Sequence, residues 1–331
     1  MSQHVNTALL ADIGATNARF ALLAGDDVEA VTTYHVKDYP TPVAAARVFL
    51  AGPANGAQPD LAVIAAAGPV VNGRVTMVNA TWYVDEAEIR QGLGLRAARV
   101  INDFAAQAWA LPGLGAGDLV TLGNVPPAKG TMVAMGPGSG FGLAALTHDN
   151  GREIVLVTEA GHATLPAENA REDALLQAMR SRFGHISIER ALSGPGLVHT
   201  YNATVTVDGL TAPERTAAEI VQHGQAGDCR ASRAALEAFC AFLGSVAGNA
   251  ALTFGALGGV YICGGIAPRF TEFLRHSAFR ERFEAKGRLS AYLAPIPTAV
   301  VVHPNPAFVG LARLAQTVRE APTLPFQARP E

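Results

Sequence analysis

Residues 8–36 and 131–157 follow the same short plan in different residues. Segments 8–13 and 18–23 read as strands joined by Gly14-Ala15-Thr16-Asn17, and 28–36 reads as a third strand. Segments 131–135, 141–146 and 154–157 repeat that order, again with a glycine-rich turn between the first two. The copies share little identity, so what recurs is an architecture, as a duplicated domain would leave it. Further runs suited to strands lie at 61–66, 74–78, 98–101, 259–263 and 299–302. Helical spacing appears at 43–50, 85–91, 102–111, 171–182, 196–202, 212–223, 231–254 and 307–318. Strands alternating with helices define an α/β fold. The Gly- and Pro-rich stretch 112–130 has no strong periodicity and is the first candidate domain boundary.

Composition excludes several classes of function. A chain of 331 residues suits one large or two ordinary domains. Apolar residues make up 49% and charged ones 16%, which excludes disorder and supplies a sizeable core. The balance of 25 basic against 28 acidic residues offers no electrostatic footprint for nucleic acid or an anionic membrane. Cys229, Cys240 and Cys263 are dispersed, without the spacing of a zinc site or the number for a disulfide framework. A reducing cytoplasm is the expected compartment. Segment 238–268 carries no charge and is long enough to span a bilayer. Ser245, Asn249, Thr253 and repeated glycines interrupt it, however, and Gly258-Gly259 breaks its helical spacing. A buried helix followed by a buried strand is the better reading. With no secretory segment at the start, a soluble protein is expected.

Two turns invite a phosphate. In Leu9-Leu-Ala-Asp-Ile-Gly-Ala-Thr-Asn-Ala-Arg19 an apolar strand delivers one acid into a turn of small residues. Small side chains let backbone N–H groups approach an anion, and Asp12 could hold a hydrated cation beside it. A hairpin whose Asp12 merely satisfies the turn explains the same residues. Met135-Gly-Pro-Gly-Ser-Gly-Phe-Gly142 is a second cradle or a strained hairpin; it matches neither a Walker sequence nor a dinucleotide fingerprint. Asn102-Asp103 ends a strand and opens a helix. Both residue types are favoured helix caps, but the carboxyl end of a strand is also where α/β sheets bind ligands. Glu159 and His162 follow another strand beside Gly161, and Glu189 precedes a Ser193-Gly-Pro-Gly helix start. Each has an ordinary structural explanation. Gly264-Gly265 ends the strand 259–263, where a flat nucleoside or simply tight packing would need glycine.

The joint order of these weak signals is specific. It strongly resembles the bacterial glucokinases, ATP-dependent hexose kinases of the hexokinase/actin-like ATPase superfamily. The resemblance runs from Ala8 to about Gln316. Its most specific blocks are Asp12-Ile-Gly-Ala-Thr-Asn-Ala-Arg19, Ile101-Asn-Asp-Phe104, Gly136 to Gly142, Glu159-Ala-Gly-His162, Glu189-Arg-Ala-Leu-Ser-Gly-Pro-Gly-Leu197 and Gly264-Gly-Ile-Ala-Pro-Arg269. It implies a two-domain, ribonuclease H-like α/β fold, with mixed sheets flanked by helices around a cleft. The small domain would take 1–112 plus 304–320, the large domain 113–303, and 321–331 would be a frayed tail.

Carried over by position, the resemblance implies a first phosphate loop at Ala11, Asp12, Ile13, Gly14, Ala15 and Thr16. A second falls on Gly136, Gly138, Ser139 and Gly140, and the adenosine motif on Gly264-Gly265. Asp103 would be the catalytic base, also touching sugar, with Asn102, Glu159, His162 and Glu189 as further sugar contacts. Ala15 and Ala160 stand where the family pattern usually has glycine; the extra methyl is costly only if those positions need positive φ.

The implied reaction is transfer of the ATP γ-phosphate to the 6-hydroxyl of D-glucose, the first step of glycolysis. Mg²⁺ would be held mainly by phosphates and water, with no dedicated protein metal site. The implied partners are glucose and ATP, with neither nucleic acid nor membrane, and a homodimer is compatible with them. Two rivals share the fold: a kinase for another hexose or an N-acetylated hexose, and a non-catalytic sugar sensor or repressor. Against them stand the dispersed cysteines, the lack of room for a DNA-binding module before Ala11, and the presence of Asp12 and Asp103.

Overall fold

The computed structural model describes residues 7–77 and 82–320. The chain divides into two compact units, one running to Leu114 and resuming at Pro304, the other spanning Gly115–His303. The first unit holds β1 (Thr7–Ile13), β2 (Asn17–Ala24), β3 (Asp27–His35), β4 (Leu61–Ala66), β5 (Arg74–Thr76), β6 (Tyr83–Asp85) and β7 (Ala97–Asn102). Its main sheet runs β3-β2-β1-β4-β7, while β5 and β6 pair separately. β1 pairs antiparallel with β2 and parallel with β4, and β4 pairs parallel with β7. β4 is buried at every position, as a central parallel strand between two layers should be. β3 alternates half-buried and exposed residues, as an outer strand with one wet face does.

Local chemistry sets the helix starts. Thr41 caps the Pro42–Ala51 helix by accepting the Ala44 N–H, and Pro42 sits in its first turn. Asp85 caps Glu86–Leu93, which ends on Gly94 in the left-handed region. The Pro306–Glu320 helix crosses Asp103–Ala110 at Gly310, where a Cβ would collide with the Ala106 carbonyl oxygen. That close crossing, with Arg313 Nε donating to the Trp109 carbonyl at 3.0 Å, buttresses the helix that begins with Asp103.

The second unit holds β8 (Leu119–Thr121), β9 (Met132–Pro137), β10 (Phe141–Asp149), β11 (Arg152–Thr158), β12 (Gly259–Ile262) and β13 (Thr298–Val301), in the order β11-β10-β9-β12-β13-β8. Its first five strands repeat the order and directions of the first unit's main sheet: antiparallel, antiparallel, parallel, parallel. β8 adds an antiparallel edge. The recurrence read in the sequence is therefore a recurrence of topology.

The Arg230–Phe254 helix is long and apolar enough to cross a membrane by composition, yet 72% of its most apolar window is buried inside the fold. Gly244 and Gly248 explain its small residues. A Cβ at either would strike the carbonyl of Phe279 or Phe283, on the Phe279–Glu284 helix packed across it.

Three expectations shift. The helix expected from residue 212 starts at Ala217, because Thr216 and Glu219 form a reciprocal capping box there. Pro213 stays outside it, its carbonyl accepting the Tyr201 hydroxyl at 2.8 Å. The aperiodic stretch 112–130 contains β8, too short at three residues to show alternation. Residue 36, expected in strand, instead opens a 3₁₀ turn, Val36–Asp38. The expected end of the strand at Val78 and the expected tail at 321–331 lie outside the described residues.

Candidate active site

In the first unit the candidate residues gather at the carboxyl ends of adjacent strands. Ile13 lies beside Ala66 of β4, and Ala66 lies beside Asn102 of β7. The turn after β1 is closed by Gly14 N–H donating to the Asn17 carbonyl at 2.9 Å. It is braced from the end of β3 and the 3₁₀ turn after it: His35 Nδ1 meets Asn17 Oδ1 at 2.9 Å, and the Thr16 carbonyl accepts Val36 N–H at 2.9 Å. Among the described residues, the N–H groups of Ala15 and Thr16 find no protein acceptor. Two unspent donors in a rigid turn of small residues make a nest for an anion.

Asp12 faces Arg19 across the β1–β2 pair, with Arg19 Nη1 at 3.3 Å from Asp12 Oδ2. Burial lifts the Asp12 carboxyl above the ordinary carboxylate range, and the Arg19 charge and hydrogen bond pull the other way. Arg19 was not among the expected site residues; direct pairing of the two positions across the hairpin was its available signal. Ala15 and Ala160 both keep negative φ, so the methyl groups that distinguish them from the family pattern carry no backbone cost.

At 102–103 the roles separate. Asn102, only 7% exposed, caps the helix: its Oδ1 accepts from Phe104 N–H at 2.9 Å and Ala105 N–H at 3.2 Å. Its Nδ2 donates to the Gly68 carbonyl at 3.1 Å. Asp103, half-buried, occupies the first helical position, with Oδ1 accepting from Phe104 N–H at 3.0 Å.

In the second unit four separate segments converge. Gly138-Ser139-Gly140 connects β9 to β10, and Gly138 N–H closes on the Gly140 carbonyl at 2.8 Å. Glu189 Oε2 accepts the Phe141 N–H at 2.9 Å, and the Gly138 carbonyl accepts the Gly194 N–H at 2.9 Å. A Cβ on Gly161 would collide with the Phe141 carbonyl, so the Glu159–His162 segment packs against the same turn. Gly264, at φ +92°, has room only for hydrogen; a Cβ there would lie 2.5 Å from the Pro137 carbonyl oxygen. Gly265 by contrast faces open space. One glycine of the pair is for packing, and the other leaves a bare surface. Beneath them, burial pushes the Cys263 thiol up to about 12, making it a packing residue rather than a nucleophile.

Glu159 and His162 are exposed, and among the described residues neither side chain has a hydrogen-bond partner. The ordinary alternative, a histidine satisfied by its neighbours, finds no neighbour. Gly194, whose N–H clasps the turn, was missed as a site residue; its signal was the Ser193-Gly-Pro-Gly helix start itself.

No group of three His, Cys, Asp or Glu side chains among the described residues is arranged to hold a metal ion. A single carboxylate beside a nest suited to an anion does fit Mg²⁺, which keeps several waters and takes one or two carboxylates plus substrate phosphates.

Twin sheets of this topology, each with a glycine-containing turn at its first hairpin, define the hexokinase/actin-like ATPase fold. A crystal structure of a glucokinase from an Antarctic psychrotroph superposes with a TM-score of 0.86 at 37% identity, covering 94% of this chain and 99% of that one. A ROK family glucokinase from Streptomyces griseus, in complex with glucose and AMPPNP, shares the fold at 21% identity and TM-score 0.65, over 94% of this chain and 99% of its own. Among curated relatives, the glucokinase of Paramagnetospirillum magneticum is 44% identical over 325 residues, covering 97% of this chain and all of its own. The family model for glucokinase matches residues 9–318, and the chain belongs to the glucokinase family.

Proposed function

We propose that this chain transfers the γ-phosphate of ATP to the 6-hydroxyl of D-glucose, with Asp103 as general base. Phosphoryl transfer needs positioning and charge neutralisation more than covalent help. Asp103 accepts the proton of the 6-hydroxyl as that oxygen attacks the γ-phosphorus in line and ADP leaves. The spare N–H groups of Ala15 and Thr16 and the turn Gly138-Ser139-Gly140 receive phosphate oxygens. The adenosine lies on the bare surface at Gly265. Asp12 would hold hydrated Mg²⁺, whose charge offsets that of the phosphates. Glu159, His162 and Glu189 take the ring hydroxyls, because a carboxylate can accept two hydroxyl protons and an imidazole can donate or accept. Asn102 has only the second hydrogen of its amide to offer a sugar oxygen.

The observation that carries this reading is the separation at 102–103. Asn102 caps the helix with bonds from the Phe104 and Ala105 amides, whereas Asp103 stands one residue further on, half-buried at the first helical position beside the carboxyl end of β7, where α/β sheets bind ligands. Membership of the glucokinase family supports the substrate pair. A coupled assay with glucose, mannose and N-acetylglucosamine against ATP, ADP and polyphosphate tests it. Glucose with ATP should give the highest kcat/KM; a higher value for an N-acetylated sugar or for another donor would contradict the proposal.

A further inference from the structure

The segment 189–194 holds the second phosphate turn at both ends. The Glu189 side chain takes the Phe141 N–H at 2.9 Å, and the Gly194 N–H takes the Gly138 carbonyl at 2.9 Å. Ser193 Oγ, donating to the Glu189 carbonyl at 2.8 Å and accepting the Gly196 N–H at 3.0 Å, keeps these residues in one rigid corner. Gly140 completes the fit, since a Cβ there would overlap the Glu189 carboxylate. Among the described residues no donor reaches Glu189 Oε1. One oxygen of the carboxylate is therefore spent on the turn, and the other is open.

We propose that Glu189 is a positioning residue for the nucleotide turn as well as a sugar contact, so that its carboxylate couples occupancy of the sugar site to nucleotide binding. The inference rests on the sugar contact proposed above. A glutamate side chain loses rotamer freedom when it is fixed. A sugar hydroxyl on Oε1 and the Phe141 N–H on Oε2 share that cost, so each makes the other easier. The coupling is reciprocal: glucose tightens the nucleotide by the factor by which the nucleotide tightens glucose.

Titration calorimetry with glucose and with the non-hydrolysable analogue AMPPNP plus Mg²⁺, each alone and each with the other saturating, gives that factor. The wild type should show a coupling of about fivefold or more. Glu189→Gln keeps the size but turns one of the two acceptor oxygens into an NH2 donor, so that with the amide oxygen held by the Phe141 N–H the position facing the sugar no longer accepts a hydroxyl proton. It should bind glucose more weakly alone, still bind AMPPNP alone, and show a coupling factor near one. Gly140→Ala, which displaces the carboxylate without altering its chemistry, should lose the coupling too. Glucose alone should slow hydrogen exchange of the Phe141 amide in the wild type and leave it unchanged in Glu189→Gln. Weaker glucose binding in Glu189→Gln with undiminished coupling would overturn the inference and leave the sugar contact standing. Unchanged glucose affinity would overturn the sugar contact itself, and no coupling in the wild type would overturn the inference outright.

Discussion

Asn102, the last residue of β7, is the helix cap, and Asp103, the first residue of that helix, is the proposed base. Asn102 makes three hydrogen bonds inside the fold, so Asn102→Ala should cost about 0.5–2 kcal/mol for the cap alone. Leaving the Gly68 carbonyl without its donor adds to that. Urea denaturation should register the loss; an unchanged midpoint would show that the cap contributes nothing. Glu159 and His162 present the opposite case, because neither side chain stabilises anything around it. Glu159→Gln and His162→Ala should leave the melting temperature within a degree or two and raise the KM for glucose. A buried hydroxyl left unpaired costs roughly 1–3 kcal/mol, or about 5- to 150-fold. Wild-type KM in both variants would make them bystanders. The sequence displayed all these residue types, but not their partners. Asn and Asp cap equally well on paper, and the bonds to Phe104, Ala105 and Gly68 identify Asn102 as the cap, with Asp103 the first residue inside the helix.

At the scale of elements, the β9–β10 hairpin was legible as a glycine-rich turn, whereas the distinct duties of its glycines were not. Gly136 lies against the Cys263 carbonyl, so a methyl there must push two neighbouring strands of a buried sheet apart. Gly138 has free space around a would-be Cβ and no positive φ. Gly136→Ala should therefore destabilise by at least about 1–3 kcal/mol, the usual penalty of overpacking. Gly138→Val should fold normally and weaken AMPPNP binding, with glucose binding largely retained. Equal nucleotide affinity in a folded Gly138→Val protein would remove the turn from the site. The helix start at Ala217 and the strand Leu119–Thr121 escaped the sequence for a related reason. A capping box and a three-residue edge strand are fixed by partners, not by periodicity.

Across the whole molecule, the repeated topology was the most legible feature, since apolar runs and turn residues encode strand order directly. Less legible were the ion pairs that tie distant segments together. In the second unit, Lys286 Nζ lies 3.0 Å from Glu168 Oε1, and Arg282 Nη2 lies 3.1 Å from Glu168 Oε2. Burial would raise the Glu168 carboxyl, but hydrogen bonds from Lys286 and Ser245 and the charges of Lys286 and Arg282 together outweigh it and hold it below the usual value. A carboxyl lowered on folding contributes stability above its unfolded value of about 4.3, and loses it as pH falls through the folded value. Glu168→Gln should thus melt earlier at pH 7 and lose less between pH 5 and 3.5 than the wild type; parallel profiles would rule out the contribution. The proposed mechanism stands on turnover. Asp103→Asn preserves size and leaves the Asn102 cap untouched, so the variant should fold and still bind glucose and AMPPNP. Its kcat, measured in the coupled glucose 6-phosphate assay, should fall at least about a hundredfold, the low end of what a positioned general base contributes. A folded Asp103→Asn enzyme turning over within a few-fold of wild type would contradict the mechanism.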